Sequence, residues 1–243
     1  MEGHLTCIQA TPFDSFIVGD PFGGVYALPQ MVAQIREEEE ADRAEIESRL
    51  VREGVSWDWL SFTGSAAKVL IDNARLSDLV LVSPTPSDGD PETMPPPIAA
   101  DVALHSQAPV LVVPAEAEGF DCFGPAIVAW DGSFEAAQAL RSALPLLRLA
   151  DSTTLVTIAE KESAFPPTDA STYLSRHGIT SELVERTPDE QSVASALRAE
   201  FARRNGSYLV LGAYGHSRLR ERLLGGVTRS MLEECHFPLL LAH

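Results

Sequence analysis

The sequence predicts an α/β fold made of two tandem parallel sheets. Apolar runs at residues 77–82 and 108–114 recur in the same order, and at nearly the same spacing, at residues 207–212 and 237–241. A repeat of this kind indicates two copies of one supersecondary unit. The runs are continuously apolar, as expected of parallel strands that are covered on both faces, and helical patterns lie between them. Strands that alternate with helices indicate crossover connections and a parallel sheet in each half.

The second half contains the more complete copy of the repeat. Its predicted strands cover residues 126–130, 153–159, 179–186, 207–212 and 237–241. Its first predicted helix places Ala137, Leu140, Leu144 and Leu147 at helical spacing, and its last covers residues 228–234. The helix between them has a start signal at Thr187, followed by Pro188 and Glu190, and a stop near Gly206. This half is therefore expected to form a complete domain over residues 125–243.

The first half, residues 1–114, reads as a shorter and degenerate copy. Its predicted strands cover residues 4–10, 55–62, 77–82 and 108–114, and its predicted helices cover residues 31–53 and 65–75. No segment precedes His4 that corresponds to the opening strand and helix of the second half. Residues 115–124 form the expected linker. The acidic run from Glu37 to Glu40 is interpreted as the solvated face of a helix.

Composition excludes several classes of function. The chain has 243 residues, 45% of them hydrophobic, and a net charge of −17, which repels nucleic acid backbones and anionic lipid surfaces. Its two lysines, Lys68 and Lys161, lie in no glycine-rich frame, so the phosphate-binding P-loop signature is absent.

The cysteines and the first residues of the chain indicate the cellular compartment in which the protein is expected. Cys7, Cys122 and Cys235 are far apart and form no C-x-x-C pair, which supports neither a disulfide framework nor a zinc ribbon. The first residues carry no leader pattern, and no apolar run reaches the length of a membrane span. We expect a soluble protein in the reducing cytoplasm, with no metal site of its own.

One segment, residues 212–229, combines glycines with a local positive charge. It starts where an apolar strand ends and leads into a helix, so its amides face the carboxyl edge of a parallel sheet, where ligands of open α/β folds bind. Arg218, Arg220, Arg222 and Arg229 against Glu221 give it a local charge of +3. Glycines permit close backbone approach, and a helix N-terminus attracts anions. The segment therefore predicts a site for a small anion such as a phosphate group.

The glycine spacing resembles that of the universal stress protein family in its tandem two-domain form. Nucleotide-binding members of that family carry Gly, two residues, Gly, nine residues, Gly and then Ser or Thr, and Gly212, Gly215 and Gly225 match this spacing. Asp131 after the first strand matches an aspartate that meets adenosine in such members. The resemblance implies an adenine nucleotide alpha hydrolase-like fold of five-stranded sheets in the order 3-2-1-4-5. It covers residues 125–243 well and residues 4–114 as a degenerate copy.

The resemblance also implies a ligand, ATP or AMP, with Mg²⁺ accompanying the nucleotide. Trp130 and Asp131 would meet base and ribose, and Ile158 would wall the adenine. The residues expected around the phosphates are Gly212, Gly215, His216, Gly225, Gly226, Val227 and Thr228. Gly226 departs from the pattern, because binding members have Ser or Thr there. Losing one hydroxyl contact to phosphate would cost about 1–2 kcal/mol, roughly ten-fold in affinity.

The corresponding segment of the first half has lost these features. Residues 83–90 contain two prolines, which lack amide donors, and two aspartates, and three further prolines stand at residues 95–97. We expect no nucleotide there. In the strand order of the family, the missing opening strand is the central one. Its neighbours must then pair directly in a four-stranded sheet, borrow a strand, or stay imperfect, unless the native chain begins further upstream.

Two other functional classes stay open. Gly215-His216-Ser217 resembles the start of a nucleophile elbow, but Leu219 stands where the second glycine is needed. We therefore expect no committed catalysis and at most slow ATP hydrolysis or autophosphorylation. The alternative is an interaction or scaffold module with a vestigial pocket. In that case the last strands of the two halves, residues 110–113 and 239–241, pair within one chain as a pseudo-dimer, and a homodimer of such chains is expected.

Overall fold

The structure, a computed structural model, describes most of the chain. The described residues are 3–11, 18–19, 25–26, 29–83, 98–114, 117, 119–158, 165–187, 192–213, 226–234 and 236–243. They belong to two compact units, Met1–Asp72 and Asn73–His243. Among the described residues no helix combines the length and the apolar character needed to cross a membrane.

The first unit contains two small sheets and a long helix. Its elements are β1 (His4–Thr11), β2 (Val18–Gly19), β3 (Val25–Tyr26), α1 (Pro29–Glu53), β4 (Ser56–Thr63) and α2 (Ala66–Asn73), which ends at the unit boundary. Strands β1 and β4 run parallel, from His4 opposite Ser56 to Thr11 opposite Thr63. Strands β2 and β3 form an antiparallel pair. Helix α1 is mostly exposed and carries an i,i+4 ion pair, Arg43 to Glu47 at 2.7 Å, consistent with the solvated helix expected from the sequence.

The second unit is built on one seven-stranded sheet. Its strands are β5 (Val80–Val82), β6 (Val110–Val112), β7 (Ala126–Ala129), β8 (Thr153–Ile158), β9 (Ser181–Arg186), β10 (Tyr208–Gly212) and β11 (Leu239–Ala242). Its helices are α3 (Ile98–His105), α4 (Phe134–Leu147), α5 (Pro167–Arg176), α6 (Val193–Arg203) and α7 (Gly226–Glu233). The strand order is β5-β6-β11-β10-β7-β8-β9.

Five of these strands form the sheet predicted for the second half. In the order β9-β8-β7-β10-β11 they are all parallel, which is the expected order 3-2-1-4-5. The central strands β7 and β10 are buried along nearly their whole length because helices cover both faces. The prediction of an α/β fold with a complete parallel sheet in this half is confirmed.

The strands of the first half lie in two different sheets. Strands β1 and β4 pair with each other, while β5 and β6 belong to the seven-stranded sheet through antiparallel pairing of β6 with β11. The expectation of a four-stranded sheet is therefore wrong for the described residues. The sequence allowed a four-stranded sheet, a borrowed strand or an imperfect sheet. The observed division of the strands corresponds to the imperfect sheet.

The two compact units and the predicted repeats divide the chain differently. The units meet at residue 72, whereas the repeat predicts a linker at residues 115–124. Strands β5 and β6 explain the difference, because they belong to the first repeat by sequence and to the second unit by hydrogen bonding. The repeat boundaries, 1–114 and 125–243, stay a prediction from the sequence.

Some predicted elements differ from those observed. Helix α6 begins at Val193 with Ser192 as its N-cap, whose side chain accepts a hydrogen bond from the Ser195 amide. The sequence placed this start at Thr187, and residues 188–191 lie outside the described part. Helices α3 and α5 were not predicted. Helix α4 begins after Ser133, which caps it by accepting from the Ala136 amide at 3.1 Å.

Candidate functional site

The carboxyl ends of three neighbouring strands, β8, β7 and β10, meet at one edge of the seven-stranded sheet. From β7 the chain proceeds to β8 and β9 on one side, whereas β10 and β11 lie on the other, so the order reverses between β7 and β10. Such a switch point leaves a crevice outside the strand ends, where ligands of open α/β sheets bind.

A cavity of about 150 Å³ occupies this switch point. Its walls come from the strand ends, the start of α4, the start of α6 and the start of α7. Among the described residues it is lined by Ala129, Trp130, Asp131, Ser133, Ala136, Val156, Ile158, Val193, Leu197, Leu211, Gly212, Gly226, Val227 and Thr228. Most of the lining side chains are aliphatic, and the polar side chains among them are those of Asp131, Ser133 and Thr228.

A tight turn after β7 places Asp131 at the mouth of the cavity. The Ser133 amide donates to Asp131 Oδ1 at 2.9 Å, and Gly132 adopts a positive φ of 75° that a side chain would disfavour. The turn leads directly into α4 through the Ser133 cap. An exposed carboxylate is thereby held in a fixed position by the backbone beside an apolar cavity.

Trp130 forms a rigid wall. Its side chain is 3% exposed, its backbone amide donates to the Val156 carbonyl at 2.9 Å, and its indole Nε1 donates to the Phe165 carbonyl at 3.1 Å. The Phe165 ring lies 6.4 Å from the Trp130 ring, centroid to centroid, at an angle of 54°. The indole donor is thus already used within the protein.

Gly212, at the end of β10, brings two backbones into contact. A Cβ atom there would lie 2.5 Å from the Ala136 nitrogen and 2.6 Å from the Glu135 carbonyl carbon, distances that real Cβ atoms do not tolerate. The first turn of α4 therefore rests on this glycine. Glycine here is required by packing, whatever binds in the cavity.

The start of α7 closes the opposite side of the cavity. Gly226, Val227 and Thr228 are its first residues, and the amides of a first helical turn lack partners within the helix. Thr228 is 3% exposed, whereas a Cβ on Gly226 would meet no atom of the described residues within 4 Å. Arg229 is paired with Glu233 at 2.6 Å along the same helix. The helix start therefore offers backbone donors to an anion.

The structure brings seven of the ten predicted site residues to this cavity. They are Trp130, Asp131, Ile158, Gly212, Gly226, Val227 and Thr228. Gly215, His216 and Gly225 lie outside the described residues, as do Ser217 and three of the four arginines of the basic segment, Arg218, Arg220 and Arg222. The proline-rich segment of the first half, residues 84–97, also lies outside them.

The valine and leucine residues of the wall apart from Val227 were not predicted as site residues; they are Val156, Val193, Leu197 and Leu211. Val193 and Leu197 are one turn apart on α6. Val156 and Leu211 could have been found from their position in the sheet. They come shortly before Ile158 and Gly212, which end β8 and β10 and were predicted to belong to the site.

The fold has clear counterparts among solved structures. A universal stress protein from Archaeoglobus fulgidus DSM 4304 superimposes with a TM-score of 0.77 over 100% of this chain and 86% of its own, at 12% identity. The chain has the universal stress protein fold. A candidate universal stress protein from Pseudomonas aeruginosa UCBPP-PA14 matches at a TM-score of 0.61, covering 98% of this chain and 92% of its own at 14% identity.

A functionally unknown protein from Pseudomonas aeruginosa PAO1 has the same fold, at a TM-score of 0.59, 14% identity and coverage of 98% of this chain and 92% of its own. Searches by sequence give no match to a family model and none to a curated protein. The structure therefore shows the universal stress protein fold, although the sequence identity to these three proteins is only 12–14%.

Proposed function

We propose that this chain is a universal stress protein of the cytoplasm whose second half binds an adenine nucleotide, ATP or AMP, in the switch-point cavity. The observation that carries the proposal is the convergence of seven residues, chosen from sequence, on one cavity between β8, β7, β10 and α7. The universal stress protein fold supports it independently of those residues. In this proposal the bound nucleotide is a signal, and no residue is assigned to committed catalysis.

The cavity walls suit the parts of a nucleotide. Val156, Ile158 and Leu197 offer an apolar surface to a flat base. The Asp131 carboxylate accepts hydrogen bonds from ribose hydroxyls. The amides at the start of α7 suit the phosphates. Mg²⁺ would accompany the nucleotide and reduce phosphate charge in this acidic protein.

Gly226 gives a direct test of the nucleotide proposal. A Cβ there would meet no atom of the described residues within 4 Å, so a small side chain can be introduced. The variant Gly226→Ser supplies the hydroxyl that the family pattern has at this position. We expect it to bind ATP about ten-fold more tightly than the wild type, the value of one added hydrogen bond to a charged group. The variant Gly226→Ala is the matched control, since it adds a Cβ without a donor and is expected to gain nothing comparable.

Isothermal titration with ATP and Mg²⁺ measures these affinities, and chromatography of the supernatant after denaturation detects nucleotide that copurifies. The proposal is supported if ATP binding releases or absorbs heat and if Gly226→Ser binds ATP more tightly than both Gly226→Ala and the wild type. If neither wild type nor Gly226→Ser binds millimolar ATP or AMP, the nucleotide proposal is wrong. That result would favour a scaffold whose cavity is vestigial.

A further inference from the structure

A second and larger cavity lies between helices α4 and α5 of the second unit. Its volume is about 340 Å³, within the range of about 300–1,000 Å³ typical of small-molecule pockets. Among the described residues it is lined by Trp130, Ala137, Leu140, Arg141, Phe165, Asp169, Ala170, Thr172, Tyr173 and Arg176. Apart from Trp130, it shares no described wall residue with the switch-point cavity.

The two helices each present one face to this cavity. Helix α4 contributes Ala137, Leu140 and Arg141, which are three and four positions apart. Helix α5 contributes Asp169, Thr172, Tyr173 and Arg176 at the same helical spacing, together with Ala170. The cavity is therefore lined by one face of each of the two helices.

Aromatic rings form the apolar part of the cavity. Trp130 and Phe165 are held together by the indole hydrogen bond to the Phe165 carbonyl, at 3.1 Å. Tyr173 lies on the α5 side, and its ring packs on His177 with centroids 4.7 Å apart. Three rings around a cavity of this size suit a flat apolar group.

The charged groups of the cavity favour an anion. The lining contains two arginines, Arg141 and Arg176, and one carboxylate, Asp169, so its charge is +1 in a chain with a net charge of −17. Arg141 donates from Nη2 to Gln138 Oε1 at 3.2 Å, a bond that uses one of the five donors of a guanidinium. Guanidinium groups bind carboxylates and sulfonates through paired hydrogen bonds.

We propose that the α4–α5 cavity is a second ligand site that takes a small amphipathic anion. The flat apolar body lies among Trp130, Phe165 and Tyr173, and a single carboxylate or sulfonate group binds Arg141 and Arg176. This site is distinct from the proposed nucleotide site, although Trp130 is a wall of both. It therefore does not depend on whether nucleotide binds in the switch-point cavity.

Two fluorescent probes test the proposal on the full chain: 8-anilino-1-naphthalenesulfonate, which is anionic, and N-phenyl-1-naphthylamine, its neutral analogue. Arg141→Glu and Arg176→Glu are each expected to weaken binding of the sulfonate about ten-fold, because a charge-assisted contact becomes a repulsion. Both variants should leave the neutral probe within about two-fold of wild type. Arg52→Glu is the matched control, since Arg52 is an exposed residue of α1 in the first unit and lies outside the cavity lining, and it should change neither probe.

A filling variant locates the probe independently of charge. Ala137→Trp should abolish binding of both probes, with circular dichroism and urea unfolding used to check that the variant folds. If Ala137→Trp does not fold, the proposal is tested by the probe binding of Arg141→Glu and Arg176→Glu. Sulfonate binding unchanged in both arginine variants would overturn the proposal.

A variant in the other cavity separates this proposal from the nucleotide proposal. Gly226→Asp places a carboxylate at the start of α7 and should leave both probes unaffected. Loss of probe binding in Gly226→Asp would place the probes in the switch-point cavity and overturn the second site. Failure of ATP to bind, with the probe results as expected, would overturn the nucleotide proposal alone.

Discussion

A Cβ atom on Gly212 would lie 2.5 Å from the backbone nitrogen of Ala136, so β10 and α4 meet backbone to backbone beneath the switch-point cavity. A Cβ on Gly226, which lines the same cavity, would meet no atom of the described residues within 4 Å. Both glycines belong to the segment that predicts a phosphate site. One of them is required by packing and the other is not.

This contrast predicts opposite effects of the same substitution. Gly212→Ala should lower the free energy of unfolding by about 1–3 kcal/mol, because the first turn of α4 must move away from the added methyl group. Gly226→Ala should leave it unchanged or raise it by up to about 1 kcal/mol, since alanine is the better helix former. Urea denaturation of both variants measures the difference. Equal destabilisation would contradict the assigned roles.

Strands β7, β10 and β11 could be predicted from the sequence because they are continuously apolar. Strand β7, Ala126–Ala129, is an example, buried at every residue. Helix α5, Pro167–Arg176, was missed because only Pro167, Ala170 and Leu174 are buried and the rest is polar. Its apolar stripe is too narrow to stand out as a helical pattern.

The residues of the candidate site could be predicted only at positions where the backbone conformation or a close backbone contact requires a particular residue type. Glycine at residue 212 and the turn at Asp131 have local signatures, whereas Val193 and Leu197 line the cavity because α6 packs over the strand ends. That packing depends on tertiary structure, which no local pattern encodes.

The start of helix α6 gives a test between two capping residues. The Ser192 side chain accepts from the Ser195 amide at 3.2 Å, whereas the exposed Thr187 lies before the helix. Ser192→Ala should therefore lower the free energy of unfolding by about 0.5–2 kcal/mol. Thr187→Ala, at the start indicated by sequence, is the control and should have little effect. A larger loss from Thr187→Ala in urea denaturation would place the cap at Thr187.

Glu200 of α6 is buried among three arginines. Its side chain is 8% exposed and accepts from Arg186 Nε at 2.7 Å, Arg203 Nη2 at 2.5 Å and Arg204 Nε at 3.4 Å. Burial by itself raises the pKa of this carboxyl, but the hydrogen bonds from Arg203 and Arg186 outweigh it and lower the pKa below its ordinary value. The ionised form of Glu200 therefore stabilises the fold.

The lowered pKa predicts how stability depends on pH. In the unfolded chain a Glu carboxyl titrates near about pH 4.3, so the contribution of Glu200 is present above that pH and is lost as pH falls through its lower folded pKa. Glu200→Gln should lower the free energy of unfolding at pH 7 by about 1–3 kcal/mol and flatten its decline below about pH 5. Urea denaturation across pH measures both effects. Glu185→Gln, an exposed neighbour, is the control and should keep the wild-type slope.

Strand β11 is an internal strand only because β6 covers its outer edge. Leu241 pairs with Val110 and Leu239 with Val112, and the side chains of Leu239 to Leu241 are at most 1% exposed. A chain of residues 125–243 lacks β6, so the exposed edge of β11 should pair with a second copy. Light scattering after size exclusion should give more chains per particle for 125–243 than for 73–243, which retains β5 and β6. A monomeric 125–243 at the same concentration would show that β11 tolerates an open edge, and β6 would then contribute packing alone.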